Sequence, residues 1–115
     1  MGNVVSSLTF QPPKEVPKLD STAKFVRTKN GFSIPLLIFR PPKEPTYKTS
    51  SIQNKYQKSI SNSLPYTFIF SHGNSDSITL ITDFAVDFVL KTKSNFVLYE
   101  YCGYPYAEGE VSFTF

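Results

Sequence analysis

The chain is poorest in the residues that build covalent and metal-stapled folds. One cysteine stands among 115 residues, so Cys102 has no partner for an internal disulfide, and no Cys or His cluster surrounds it to give zinc-ligand spacing. A disulfide-built secreted scaffold and a structural zinc site are thereby excluded, and a reducing, cytosolic compartment is expected. No apolar run approaches the roughly 20 residues that a spanning helix needs. The first basic residue is Lys14, so the charged start of a signal peptide is missing as well. Charge is modest too: 12 Lys and Arg against 9 Asp and Glu leave a net +3, spread along the chain, which does not indicate a nucleic-acid partner. Nothing in these residues calls for a metal or a cofactor. The chain also has a single histidine, His72, and no Gly-x-Ser-x-Gly anywhere.

With 40% hydrophobic and 16% aromatic residues, the chain has enough apolar material for one small core. Its start, Met1-Gly2-Asn3-Val4-Val5-Ser6, fits the pattern in which Gly2 is exposed and myristoylated; the plain alternative is a flexible polar terminus. One myristate holds a protein to a membrane only reversibly. Lys14 and Lys18 add weak attraction to an anionic surface, which Glu15 and Asp20 offset. Residues 11–20 carry three prolines and read as an extended linker. Residues 1–22 are therefore expected to be an anchor and linker, with the folded domain at 23–115.

Within that domain, Ala23–Thr28 and Ser33–Arg40 read as strands joined by a turn containing Asn30-Gly31. Pro35 is expected to make the second strand an edge strand or to mark a bulge. Residues 41–65 open with Pro41-Pro42, close at Pro65 and are polar between, which suits a solvated insertion. Its lysines and Tyr47 and Tyr56 also admit a basic-patch reading, which that composition does not favour. Tyr66–Ser71 suits a buried strand, and Phe96–Tyr99 a second one. Between them Ile81, Phe84, Ala85, Phe88 and Val89 share one face of a helix expected over Ile78–Lys91, with Ser77 or Ser75 as its cap. The fold class is thus α/β, a β hairpin followed by a β-α-β unit.

Ser71-His72-Gly73-Asn74 falls where a strand ends and a helix is about to begin, at the carboxyl ends of the strands, where ligands of open α/β sheets bind. Free amides in such a turn stabilise a developing oxyanion. The structural alternative is a hydrogen-bonded His72 beside a turn glycine. A second feature, Tyr99-Glu100-Tyr101-Cys102-Gly103-Tyr104, follows the next strand.

The Met-Gly-Asn-Val start, Phe10-x-Pro12-Pro13, Phe70-Ser71-His72-Gly73-Asn74 and Tyr99-x-Tyr101-x-Gly103-Tyr104 occur in this order over nearly the whole chain. Together they resemble alpha/beta hydrolase domain-containing protein 17 and its relatives, serine hydrolases described as protein depalmitoylases. The resemblance implies the N-terminal half of an α/β-hydrolase sheet, with a Ser, Asp, His triad on the complete fold. The loop after the third strand would supply one oxyanion amide. Asn74 carries that amide here, with Ser75 as the second choice; the His72 and Asn74 side chains and Gly73 would support the loop, and Tyr101, Gly103 and Tyr104 would shape a neighbouring one. Palmitoylated proteins and a membrane surface would be the partners, at the cytoplasmic face.

The chain departs from that pattern where Ser77 and Thr79 stand in place of an Asp and a Gly, and where Pro105 stands in place of a Gly. The order nucleophile, acid, histidine would place all three triad members beyond Phe115. His72 is then not the triad base, and a Cys102 nucleophile served by His72 has no positive neighbour to lower its thiol pKa. Half of such a sheet would expose apolar surface and an unpaired edge.

Overall fold

A computed structural model describes residues 9–43 and 66–111, which form a mixed α/β unit. The expectations at Gly2 and for most of the insertion, residues 44–65, lie outside the described residues. The elements are β1 (Lys24–Arg27), β2 (Ser33–Phe39), β3 (Thr67–Phe70), α1 (Thr82–Thr92) and β4 (Asn95–Tyr99), and the sheet runs in the order β1-β2-β4-β3. β1 and β2 pair antiparallel, β2 and β4 antiparallel, and β3 and β4 parallel. The hairpin and the β-α-β unit therefore share one sheet, with the later strand β4 at its interior.

The hairpin closes over Lys29-Asn30-Gly31. The Gly31 amide donates to the Thr28 carbonyl at 2.9 Å and the Thr28 amide to the Phe32 carbonyl at 2.8 Å. Gly31 alone in this loop has positive φ, +88°, so the loop is a three-residue connection with a left-handed closing glycine rather than a two-residue Asn-Gly turn.

The reading of Pro35 is corrected: β2 is flanked by β1 and β4 and is not an edge. Its ring is fully buried. The Pro35 carbonyl accepts from the Glu100 amide at 3.2 Å, so the backbone of this residue faces β4. The β2–β4 register begins one residue later, at Leu36 opposite Tyr99. The proline lacks only the amide that would complete the reciprocal bond to Glu100, so its cost to the β2–β4 ladder is confined to the last pair.

The helix is also shorter than its periodicity predicts. Residues 78–80 are turn, and the first helical residue is Thr82 with Ile81 at the N-cap and no capping side chain. Ser77 does not cap, because its hydroxyl is committed to Glu100 at 2.7 Å. At the other end Lys93 takes the left-handed conformation, φ +56°, and its amide closes on the Val89 carbonyl.

One face of the sheet packs on α1. Leu37, Phe96 and Leu98 meet Ala85, Val89 and Ile78 in the buried core, bordered by Phe70, Phe88, Ile81 and Leu19. Edge and tilted ring contacts, Phe68 to Phe88 at 5.1 Å and Phe88 to Phe96 at 4.8 Å, knit β3 and β4 to the helix. The expectation that β3 is a buried strand is overturned: it is the sheet's outer strand, Ile69 is 72% exposed, and Phe68 and Phe84 remain about half exposed. Alternation explains it, since Phe68 and Phe70 point to α1 while Ile69 points to the opposite face, where Val97 and Ile38 are its register neighbours.

Candidate functional site

The site sits where β3 and β4 end. Beyond β3 the chain makes a β-turn, Gly73-Asn74-Ser75-Asp76, closed by the Asp76 amide donating to the Gly73 carbonyl at 3.0 Å. Asn74 and Ser75 are its central residues, both with negative φ. Central amides of such a turn point outward, and neither engages an acceptor among the described residues. The turn itself is exposed.

Below the turn lies a carboxylate that no motif singled out. Glu100 has no exposed surface, a placement a charge tolerates only when its oxygens are filled. They are. Oε1 accepts from His72 Nε2–H at 2.5 Å and from the Tyr101 amide at 3.3 Å. Oε2 accepts from the Ser77 hydroxyl at 2.7 Å and from the Ile78 amide at 3.2 Å. Two of these donors lie on the turn's C-terminal side, one on its N-terminal side and one on the loop after β4, so one side chain ties the loops of two parallel strands together.

His72 is almost fully buried. Its other ring nitrogen, Nδ1–H, donates to the Gly73 carbonyl at 2.8 Å. Both ring nitrogens thus face acceptors, which only the imidazolium satisfies. Burial pulls the His72 pKa down, but the Glu100 and Gly73 contacts outweigh it, and the net shift is upward from 6.5. The charged ring lies 4.1 Å from the Tyr101 ring and 5.5 Å from that of Tyr104, a contact aromatic faces favour for cations. No nitrogen of His72 is left for Cys102, so a Cys102–His72 catalytic pair is ruled out by geometry.

The tyrosines brace the same loop from outside. The Tyr101 hydroxyl donates to the His72 carbonyl. That of Tyr104 reaches the Asn74 carbonyl at 2.6 Å and Asn74 Oδ1 at 2.7 Å, and Tyr99 shares a short contact with Ser71 Oγ. Burial raises the pKa of Tyr101, with Tyr99 nearby adding to it; burial raises that of Tyr104, with the Glu100 charge adding to it. Both hydroxyls therefore stay protonated and donate. Gly103 is required by its loop: φ is +79°, and a Cβ there would meet the Val111 backbone nitrogen at 2.4 Å.

The structure thus brings His72, Gly73, Asn74, Ser75, Tyr101, Gly103 and Tyr104 into one cluster. Sequence reasoning missed the roles of Glu100 and Ser77, while Tyr99 stood in the tyrosine motif. The available signal was an acidic residue closing the apolar run Phe96–Tyr99, 28 residues after the only histidine. Next to the turn a cavity of about 510 Å³ is lined by Ser71, Asn74, Tyr99, Tyr101 and Tyr104 together with Phe10 of the N-terminal segment. Among the described residues no group of His, Cys, Asp and Glu is placed to hold a metal ion, and no helix is long and apolar enough to cross a membrane. Comparison with protein-family models, with curated proteins and with solved structures gives no match for this chain.

Proposed function

We propose that this chain carries the oxyanion side of an acyl-hydrolase site, as the N-terminal part of a membrane-associated serine hydrolase of the palmitoyl-protein thioesterase type. The observation that supports the reading is the β3–α1 turn itself: two amides, Asn74 and Ser75, that engage no acceptor among the described residues, braced by the buried His72–Glu100 pair at the carboxyl ends of parallel strands. Preorganised amides of this kind account for a large share of acyl-transfer catalysis. A hairpin leading into a β-α-β unit with the His-Gly-Asn loop after its third strand is also the arrangement that the hydrolase resemblance implies.

In this reading a serine C-terminal to Phe115 attacks the thioester carbonyl of a palmitoyl-cysteine. A histidine takes the serine proton, and the carbonyl electron pair becomes an oxyanion held by the Asn74 amide and one further N–H. Collapse expels the cysteine thiolate, which takes the proton, and water then hydrolyses the acyl-serine. His72 takes no part in proton transfer, since both its nitrogens are occupied.

The second reading is a lipid-anchored binding protein without catalysis, favoured by the absence of any nucleophile paired with a base among the described residues. A fluorophosphonate probe and a palmitoyl-thioester substrate separate the two. The 115-residue chain and a version extended through the downstream reading frame are assayed side by side. Labelling and turnover by the extended form alone support the hydrolase; silence from both supports the binding protein, and turnover by the short chain contradicts the assignment of the nucleophile.

A further inference from the structure

Three tyrosines wall the cavity of about 510 Å³ beside the Asn74 turn. Each has its hydroxyl committed: Tyr99 to Ser71 Oγ, Tyr101 to the His72 carbonyl, and Tyr104 to the Asn74 carbonyl and Oδ1. These bonds orient the rings, so what the tyrosines offer a ligand is aromatic surface. Tyr99 and Tyr101 meet at 75° with centroids 5.6 Å apart, and Tyr101 and Tyr104 at 87° and 5.1 Å. Successive rings at near right angles make the corners of a box rather than a flat stack, and the hollow meets ring faces as well as edges. Phe10 adds a fourth aromatic wall. The Asn74 side chain ties down both its neighbours: Nδ2–H donates to the Thr9 carbonyl at 2.8 Å, and Oδ1 accepts from the Gln11 amide at 3.2 Å.

Charge narrows the ligand. Among the described residues no basic side chain lines this cavity, and its one charged wall residue is Glu110. The His72 imidazolium is not part of the wall and is paired with Glu100. An anion therefore finds no counter-charge here. A hydrocarbon chain finds aromatic walls and a single branched aliphatic residue, Val111. A cation finds ring faces, the negative side of the aromatic quadrupole, and a carboxylate. A primary ammonium would give up hydrogen bonds to water that walls with committed hydroxyls do not replace. An alkylated ammonium has no such donors and presents apolar methyl groups to the rings. The volume lies within the range of small-molecule sites, roughly 300–1,000 Å³, which leaves room for the group that carries the cation.

We propose that this cavity binds a quaternary ammonium group, with Tyr99, Tyr101 and Tyr104 as its cage and Glu110 as the charge that favours a cation. The assignment does not rest on the hydrolase reading, since no acyl transfer enters it. Free choline and the headgroup of phosphatidylcholine carry the same chemistry.

Titration of the full chain with choline, followed by NMR of the tyrosine rings, tests it. Choline is expected to shift the Tyr99, Tyr101 and Tyr104 resonances saturably. Neohexanol, its uncharged isostere with carbon in place of nitrogen, should bind at least about fivefold more weakly, the loss of a cation–π contact. Tyr99→Leu keeps an apolar wall but removes a ring and should weaken choline about fivefold, whereas Tyr99→Phe keeps the ring and should bind like the wild type. Capture by phosphatidylcholine vesicles that free choline competes away assigns the site to the lipid headgroup; choline binding without such capture assigns it to a soluble ligand. The absence of a saturable shift, or equal affinity of the wild type for choline and neohexanol, would overturn the proposal, and neither result depends on a variant that folds.

Discussion

Replacing Glu100 by glutamine changes one atom and tests the bracing of the whole site. The carboxylate has four donors and no exposure. A glutamine oxygen can serve two of them, but its NH₂ must then face the others. Ser77 can rotate to accept, whereas the Ile78 amide cannot, so one donor–donor contact remains. The His72 imidazolium also loses its counter-ion. Removing one partner of a buried pair costs about 3–5 kcal/mol, and deprotonation of His72 limits the loss toward the lower figure. We expect Glu100→Gln to lose about 3 kcal/mol in urea unfolding followed by tyrosine fluorescence, against a total of on the order of 10 kcal/mol for a domain of this size. His72→Gln alone should cost a similar amount, and the double variant should fall short of the sum by at least about 1 kcal/mol, because both changes dissolve one contact. A loss under about 1 kcal/mol in Glu100→Gln with the fold intact, or simple additivity in the cycle, would refute the account of the hub.

The pH dependence of stability follows from the raised pKa of His72. Its contribution is fully present below the unfolded value of about 6.5 and is lost as pH rises through the higher folded value; urea midpoints measured from pH 6 to 9 should decline for the wild type and flatten in His72→Gln. Gly103→Ala should cost more than about 2 kcal/mol, since positive φ and a backbone clash act together. Gly31→Ala, with φ +88° but open space around it, should cost only about 1 kcal/mol; equal losses in thermal melts would contradict the packing around Gly103. Ile69 is 72% exposed on the outer strand, so Ile69→Lys should leave stability within about 0.5 kcal/mol and reduce self-association in light scattering; unchanged association would mean that this strand is not the sticky edge.

The hairpin was legible because Asn30-Gly31 sits between two β-branched runs, and the β-α-β unit because two short apolar runs, Tyr66–Ser71 and Phe96–Tyr99, flank a stretch with its own helical apolar stripe. Tertiary pairing decided the rest. Ser77 looks like a helix cap until Glu100 claims its hydroxyl, which leaves the helix to start at Thr82. Pro35 looks like an edge residue until its carbonyl is seen to face the end of β4. A short apolar run such as Thr67–Phe70 reads the same whether one face or both are covered, so its outer position was not visible. For the site, the His-Gly-Asn turn and the tyrosine loop each stood out locally, while their connection through Glu100 spans 28 residues of sequence and leaves no local trace. The docking of Thr9 and Gln11 on Asn74 was hidden for the same reason.

The most direct test of the central claim deletes one amide hydrogen. Asn74 is the second residue of its turn and has negative φ, a position where proline is accommodated. In the extended chain, Asn74→Pro removes the N–H and the side chain together, and Asn74→Ala removes the side chain alone. If this amide holds the oxyanion, palmitoyl-thioester turnover by the proline variant should fall about 100-fold or more below that of the alanine variant, with little change in KM. Equal turnover in the two variants would contradict the assignment of this turn as an oxyanion site.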